Sequence, residues 1–427
     1  MRRSIIFAAV FAVLAGVACS ALAAPFDPET AARGYLDTLK GAERARSDAY
    51  FEGGYWLLLW GTMIAVSAEL IMLHFGWSAA FRDWSQRTVK WRWLQPAAYA
   101  LPYGLVGALI IIPWTVYTEF FREKSYGLLN LRFGEWAGEL AITIAINVIL
   151  MAIFLAVIFA VIRRSPRFWW LWGAGATSVM LAIFVMIVPV FISPLFNDFS
   201  ELKAGPVRDR IVAMAESQKV PAQHIYVFDQ SKQHDRISAN VSGLGPTIRI
   251  SLNDNLLNRT GLPETASVMA HEIGHYKLGH LPWRIATFSV LALFIFWVSS
   301  RFAPILLARF GSIWKVKDLS DVAAFPALAL IFAVVQLAVT PITNSVIRIH
   351  ESQADIFGLE LAREPDGFAS AAMRLSQYRK IEPGPIEEIL FYTHPSGATR
   401  VRMAMDWKAK HIAEIDARAP ATGAPKP

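Results

Sequence analysis

Six long apolar runs dominate the pattern of the chain, at about 54–76, 97–117, 137–162, 168–193, 285–308 and 321–347. Each is long enough to cross the hydrocarbon core of a bilayer as a helix, and only helices or closed barrels can do so. Pro102, Pro113, Pro189, Pro326 and Pro341 lie in or near these runs. They predict kinks or helix ends, tolerable where neighbouring helices or water satisfy the freed carbonyls. Glu69 and Asn147 are polar residues inside apolar runs, as side chains facing a bundle interior or cavity are, although for Asn147 an ordinary packing contact is the commoner explanation.

The remaining stretches are polar. Residues 1–24 begin with two arginines, continue as an apolar run and end on Ala21, Leu22 and Ala23. That pattern reads either as a secretory signal peptide or as a first transmembrane helix. Gly16 to Cys19 forms only a weak lipobox-like string. Residues 25–53 are expected to be an extramembrane segment, and 54–193 to hold four transmembrane helices. Residues 194–284 change character. Pro206 to Lys219 has the spacing of an amphipathic helix, His224 to Phe228 reads as a short strand, and Ile237 to Leu252 reads as a hairpin turning at Gly243 to Pro246. Two more transmembrane helices are expected in 285–347, then soluble helices in 348–410. Residues 411–427 end rich in Pro, Ala and Gly and read as a disordered tail. No internal repeat is visible.

Composition agrees with a polytopic membrane protein: 55% of residues are hydrophobic and 18% charged, with a mean hydropathy of +0.38. Trp56, Trp93, Trp114, Trp169 and Trp170 sit near the ends of apolar runs, as interfacial anchors do. The net charge of +7 fits lipid-facing loops. No basic stripe interleaved with aromatics supports a nucleic-acid partner. Cys19 is the only cysteine, so any metal must be held by histidines and carboxylates.

The chemistry concentrates at 268–275. His271 and His275 are four apart, so on a helix they lie on one face, about 40° apart at roughly 100° per residue. Glu272 lies between them. In this His-Glu-x-x-His pattern two imidazoles bind zinc and the glutamate activates a water on it. A catalytic zinc takes three protein ligands, and the third is a later His or Glu. His280 is nine residues beyond His271, on the opposite face of a continued helix, and reads as a polar helix end. Glu351 is the stronger candidate. It follows the last apolar run, and two crossings return the chain to the same side. Asp355, one turn on, could accept a hydrogen bond from a liganding imidazole.

With these motifs the sequence resembles the integral-membrane type I CAAX prenyl proteases, from about residue 100 to 405. HEIGHYKLGH (271–280) looks like that family's metal helix and ESQAD (351–355) like its third-ligand motif. LPYGLVGALIIIPWTVYTEFFREKSYG (101–127) and ISPLFNDF (192–199) resemble its membrane segments, and THPSGATR (393–400) its terminal His-Pro motif. The resemblance implies one zinc ion per chain, held by His271, His275 and Glu351. It implies Glu272 as general base and later proton donor, His394 as donor to the oxyanion or substrate carbonyl, and Asp355 and Arg400 as supporting charges. It also implies an edge strand that binds substrate backbone by β-augmentation. That strand is expected near 247–252, with Asn240, Ile248 and Ile250 as substrate-binding residues. Residues 238–243 depart from the family's Ser-Asn-Ala-Tyr-x-x-Gly: the aromatic is absent and Asn240 is shifted.

The expected fold is therefore mainly α, a polytopic membrane bundle of six to seven transmembrane helices. It carries a zinc-peptidase domain with a small β-hairpin or sheet, split between 194–284 and 348–410. The expected function is a membrane-embedded zinc metalloendopeptidase acting on membrane-associated, apolar or lipidated peptides. The rival reading is a membrane transporter or channel with a regulatory His/Glu metal site. A third reading, a catalytically silent scaffold, is opposed by the presence of Glu272. The partners are a peptide or protein substrate and the lipid bilayer, and the sequence does not give the oligomeric state. The signal-like N-terminus points to a bacterial inner membrane. Lys and Arg fall at the loops around 82–92, 163–167 and 309–317. The positive-inside rule then puts the zinc domain in the periplasm, whereas eukaryotic members of the resembled family face the cytosol.

Overall fold

The structure, a computed structural model, describes residues 26–243 and 248–416. The expected signal or first transmembrane helix lies outside these residues. A short helix α1 (Pro28–Leu36) is capped by Asp27, whose carboxylate accepts from the backbone N–H groups of Glu29 and Thr30. Then α2 (Gly41–His74) runs unbroken into the first apolar stretch, so residues 41–53 form the extramembrane end of a spanning helix. An interfacial helix α3 (Trp77–Thr88) follows. Next come α4 (Gln95–Thr115), prolonged through a π turn to Ser125, α5 (Phe133–Arg164), and α6 (Trp169–Ile187), prolonged to Leu195. The π turns follow Pro113 and begin at Val188 next to Pro189, where the ring removes a backbone donor.

The polar middle of the chain folds as β1 (Phe199–Glu201), α7 (Pro206–Ser217), β2 (Ile225–Phe228), β3 (Ala239–Ser242), β4 (Arg249–Asn253) and α8 (Asp254–Arg259). The metal-motif helix α9 (Leu262–Lys277) and the fifth span α10 (His280–Trp314) come next. The sixth span opens with a short turn at Val322 and continues as α11 (Phe325–Ala362), a 38-residue helix whose C-terminal end leaves the apolar run. Helices α12 (Pro365–Leu375), α13 (Pro385–Phe391) and α14 (Gly397–Asp416) close the chain. Residues 411–416, expected in the tail, thus continue α14 past a kink at His411.

Among the described residues, six helices are long and apolar enough to cross a membrane. The described residues are mainly helical and include a small four-stranded sheet, in the order β1-β2-β4-β3. Strands β3 and β4 form the expected antiparallel hairpin, with Asn240 opposite Ser251. But β4 also pairs with β2, in parallel, with Ile225 opposite Ile250. Both edges of β4 are taken, so the free edges of the sheet belong to β1 and β3. This corrects the expected strand: Ile250 is fully buried and Ile248 nearly so, and neither presents itself to a peptide. Hairpin patterning marks two paired strands, but the side on which a third strand joins them is a tertiary outcome.

Two extramembrane cores hold the site. One gathers Ile211, Ile225, Ile250, Leu252, Met269 and Ile273 between α7, the sheet and α9. The other gathers Leu36, Leu359, Phe368, Val401 and Met405 from α1, α11, α12 and α14. Both reach α11, which runs along α9 and links the two parts of the domain to the bundle.

Candidate metal and active site

Helix α9 starts with a capping interaction, the Glu264 carboxylate accepting from the Gly261 N–H at 2.7 Å. One face of it buries Met269, Ala270 and Ile273 against the sheet. The face turned to α11 presents His271 and His275. The two helices approach closely at Gly358, where an added Cβ would lie 3.0 Å from the backbone nitrogen of His271. That closeness lets Glu351, two turns earlier on α11, reach both rings.

Nε2 of His271 is 3.1 Å from Oε2 of Glu351 and 3.0 Å from Nε2 of His275. Nε2 of His275 is 3.3 Å from the same Oε2. A tetrahedral ion with bonds of about 2.0–2.1 Å separates its ligand atoms by about 3.4 Å. The three atoms are therefore spaced almost as such an ion requires, and a buried His/His/Glu cluster able to chelate a metal is present. The donor set of two imidazoles and one carboxylate suits zinc.

Each donor is backed by a further side chain. Nδ1 of His271 lies 2.8 Å from Oδ1 of the fully buried Asp355, a close charge contact rather than an aligned hydrogen bond. Arg400 grips Asp355 with two donors, Nε at 2.9 Å and a terminal nitrogen at 2.5 Å. Oε1 of Glu351 accepts from Arg284 at 2.6 Å, which leaves Oε2 for a metal. Nδ1 of His275 meets Nδ1 of His280 at 2.7 Å. Burial opposes a charge on His271, but Asp355 and Glu351 beside it push its pKa up to about 10. A metal bound there would displace that proton.

Glu272 and His394 border the same cavity, of about 840 Å³, which is also lined by Tyr50, Arg236, Ala239 of the β3 edge strand, and Arg379. Burial pushes the Glu272 carboxyl above its ordinary range, while the two imidazoles and Arg284 pull the other way. Nε2 of His394 is 3.3 Å from Oε2 of Glu351, and its Nδ1 is 3.0 Å from the Thr393 hydroxyl. Burial, with the Arg379 guanidinium, lowers the His394 pKa to about 3, so the ring stays neutral. If Thr393 donates to Nδ1, the ring proton sits on Nε2, aimed at the cluster.

The structure thus brings together His271, His275, Glu351, Glu272, His394, Asp355 and Arg400. It does not bring Asn240, Ile248 or Ile250 to them: Asn240 opens on a separate cavity with Arg249 and Ser251, on the other face of the sheet. Arg284, Arg379 and His280 join the site without having been expected. Arg284 opens an apolar run and reads as an interfacial charge, and no local pattern marks Arg379. A continued helix would carry His280 to the opposite face, but Gly279, at φ 67°, breaks the helix and starts α10 in a new direction.

Comparison with known proteins agrees with this geometry. A family model for the CAAX prenyl protease N-terminal region, five membrane helices, matches residues 35–198, and the model of peptidase family M48 matches 201–408. The chain is a CAAX-prenyl-protease-like member of peptidase family M48. It is 28% identical over 371 residues to "Uncharacterized metalloprotease YhfN" of Bacillus subtilis, covering 86% of each chain. It is 26% identical over 318 residues to "CAAX prenyl protease 1" of Saccharomyces cerevisiae, covering 71% of this chain and 70% of that one. The crystal structure of S. mikatae Ste24p superposes with a TM-score of 0.71 at 20% identity, covering 89% of this chain and 94% of that one, and so shares its fold. Membership in a peptidase family, a membrane-embedded fold and the His/His/Glu cluster together describe a metallopeptidase rather than a transporter.

Proposed function

We propose that this chain is a zinc metalloendopeptidase that cleaves membrane-associated, apolar or lipidated peptides. The observation that carries the reading is the convergence of three ligand atoms beside Glu272 and His394, on one wall of a cavity at the end of a membrane bundle.

His271, His275 and Glu351 would hold the zinc. When bound, the ion supplies Lewis-acid polarisation and an acidified water. Glu272 takes a proton from the attacking water and later delivers it to the departing nitrogen. His394, neutral and protonated at Nε2, donates to the carbonyl oxygen as it gains charge. Asp355, held by Arg400, orients His271, and Arg284 orients Glu351. The free edge of β3 borders the cavity, and a peptide backbone would pair there. The yeast relative carries the name of a prenyl protease, which favours lipidated substrates here as well.

The inner membrane of a bacterial cell, with the zinc domain in the periplasm, is the placement we favour. In its support, the three basic loops gather at one end of the bundle: Arg82 donates to the Lys315 carbonyl and Arg163 to that of Arg92. The site lies at the other end. A C-terminal fusion bright only as a periplasmic reporter is expected, and one bright only as a cytoplasmic reporter reverses the orientation. The activity is tested by cleavage of a farnesylated peptide. Loss with a chelator and return with zinc is expected, and cleavage indifferent to both refutes the proposal.

A further inference from the structure

The two liganding histidines are supported differently. His271 is backed by a carboxylate, Asp355. His275 is backed by a second imidazole, His280, which belongs to the following helix. His280 is 2% exposed, too buried to be a stray surface ring. Its Nε2 lies 3.1 Å from Oε1 of Gln353. Its ring stacks on that of His350, with centroids 4.6 Å apart and planes within 9°.

Nε2 of His275 faces the ligand cluster, so its ring proton sits on Nδ1. That proton needs an acceptor, and the atom facing it, 2.7 Å away, is Nδ1 of His280. His280 accepts there only as the tautomer protonated on Nε2, and that proton then points at Oε1 of Gln353. One self-consistent arrangement satisfies the whole chain: His275 donates to His280, and His280 donates to Gln353. His350 holds the His280 ring plane. Gln353 is two residues from Glu351, so α11 supplies both a ligand and the far end of this relay.

We propose that His280 is a positioning residue for His275, fixing its tautomer and ring orientation through a neutral imidazole–imidazole–amide relay ending at Gln353. The inference rests on the metal site being that of His271, His275 and Glu351. It adds a functional meaning to the break at Gly279: the sharp turn carries His280 back onto the far side of the His275 ring. Outer partners of this kind typically contribute 10–100-fold to metal affinity.

The test is zinc affinity, measured on the full chain in detergent by competition with a chromogenic chelator. His280→Ala removes the acceptor and is expected to weaken zinc binding roughly 10–100-fold. His280→Asn is expected to recover most of this, because the Asn Oδ1 can occupy nearly the place of the imidazole Nδ1 and accept the same proton. Gln353→Leu, which leaves both rings in place, is expected to lose less than His280→Ala and keeps the question decidable if that variant fails to fold. Equal affinity in the wild type, His280→Ala and Gln353→Leu overturns the relay while leaving the metal site standing. No stoichiometric zinc in the wild type, or undiminished zinc in His275→Ala, overturns the site itself and the relay with it.

Discussion

The fourth and sixth spans look alike as sequence, each a long proline-containing apolar run, yet they do opposite work. In the most apolar stretch of α6 no residue is buried, whereas 39% of the corresponding stretch of α11 is. Val179, Ile183, Met186 and Phe191 stand exposed on α6, apolar side chains turned to where lipid would be. Helix α11 instead buries Ala327, Ile331, Val339, Glu351, Asp355, Gly358 and Leu359. Apolarity places a helix in the membrane, but it does not say which helix is the spine. That role follows from small residues and placed polar groups: Gly358 lets α9 approach, and Glu351 and Asp355 then meet its histidines.

The contrast is open to breaking at its strongest point first. Asp355→Ala leaves Arg400 buried without its partner. A loss of about 3–5 kcal/mol is expected, together with weaker metal binding, both visible as a lowered melting temperature that added zinc no longer raises. Gly358→Ala comes next. Its methyl group would press on the His271 backbone at 3.0–3.2 Å, forcing α9 and α11 apart at a cost of about 1–3 kcal/mol. Zinc affinity should fall with stability, and unchanged affinity would show that the close approach is not what sets the ligand geometry.

A smaller effect concerns protonation. Burial raises the Glu272 pKa above the ordinary 4.5. As pH falls through that raised value the base is protonated and activity is lost, so the acid limb of kcat/KM should lie above pH 4.5. His394, held to about 3, stays neutral throughout that range. His394→Phe should then lower kcat without moving the limb, and a moved limb would reassign it. The smallest effect belongs to the outer helix: Ile183→Ala, at a residue 50% exposed, should change the melting behaviour by no more than about 0.5 kcal/mol. A larger loss would mean that Ile183, like Gly173 where α6 meets Phe296 of α10, faces a packing partner rather than lipid.

How much of this was legible in the sequence follows the same division. The six spans were readable because apolar run length is a local signal. Glu351 was readable because an even number of crossings returns the chain to one side, and the hairpin because alternation marks paired strands. What escaped depends on tertiary choices. The face carrying His280 depended on whether the helix passed Gly279, and a left-handed glycine ended it. Which strands keep a free edge depends on β2 choosing β4 over β3, and that choice buries Ile248 and Ile250. Arg284 reads as an interfacial charge until Glu351 is seen 2.6 Å away.

The central claim is that the cluster holds a metal and that Glu272 does chemistry beside it without being needed to hold it. Glu272→Gln measures this most directly, with zinc stoichiometry and peptide turnover read on the same sample. The account predicts about one zinc per chain in both proteins, with kcat/KM lower by at least about 10²–10⁴-fold in the variant. Turnover surviving in Glu272→Gln with zinc bound would contradict it.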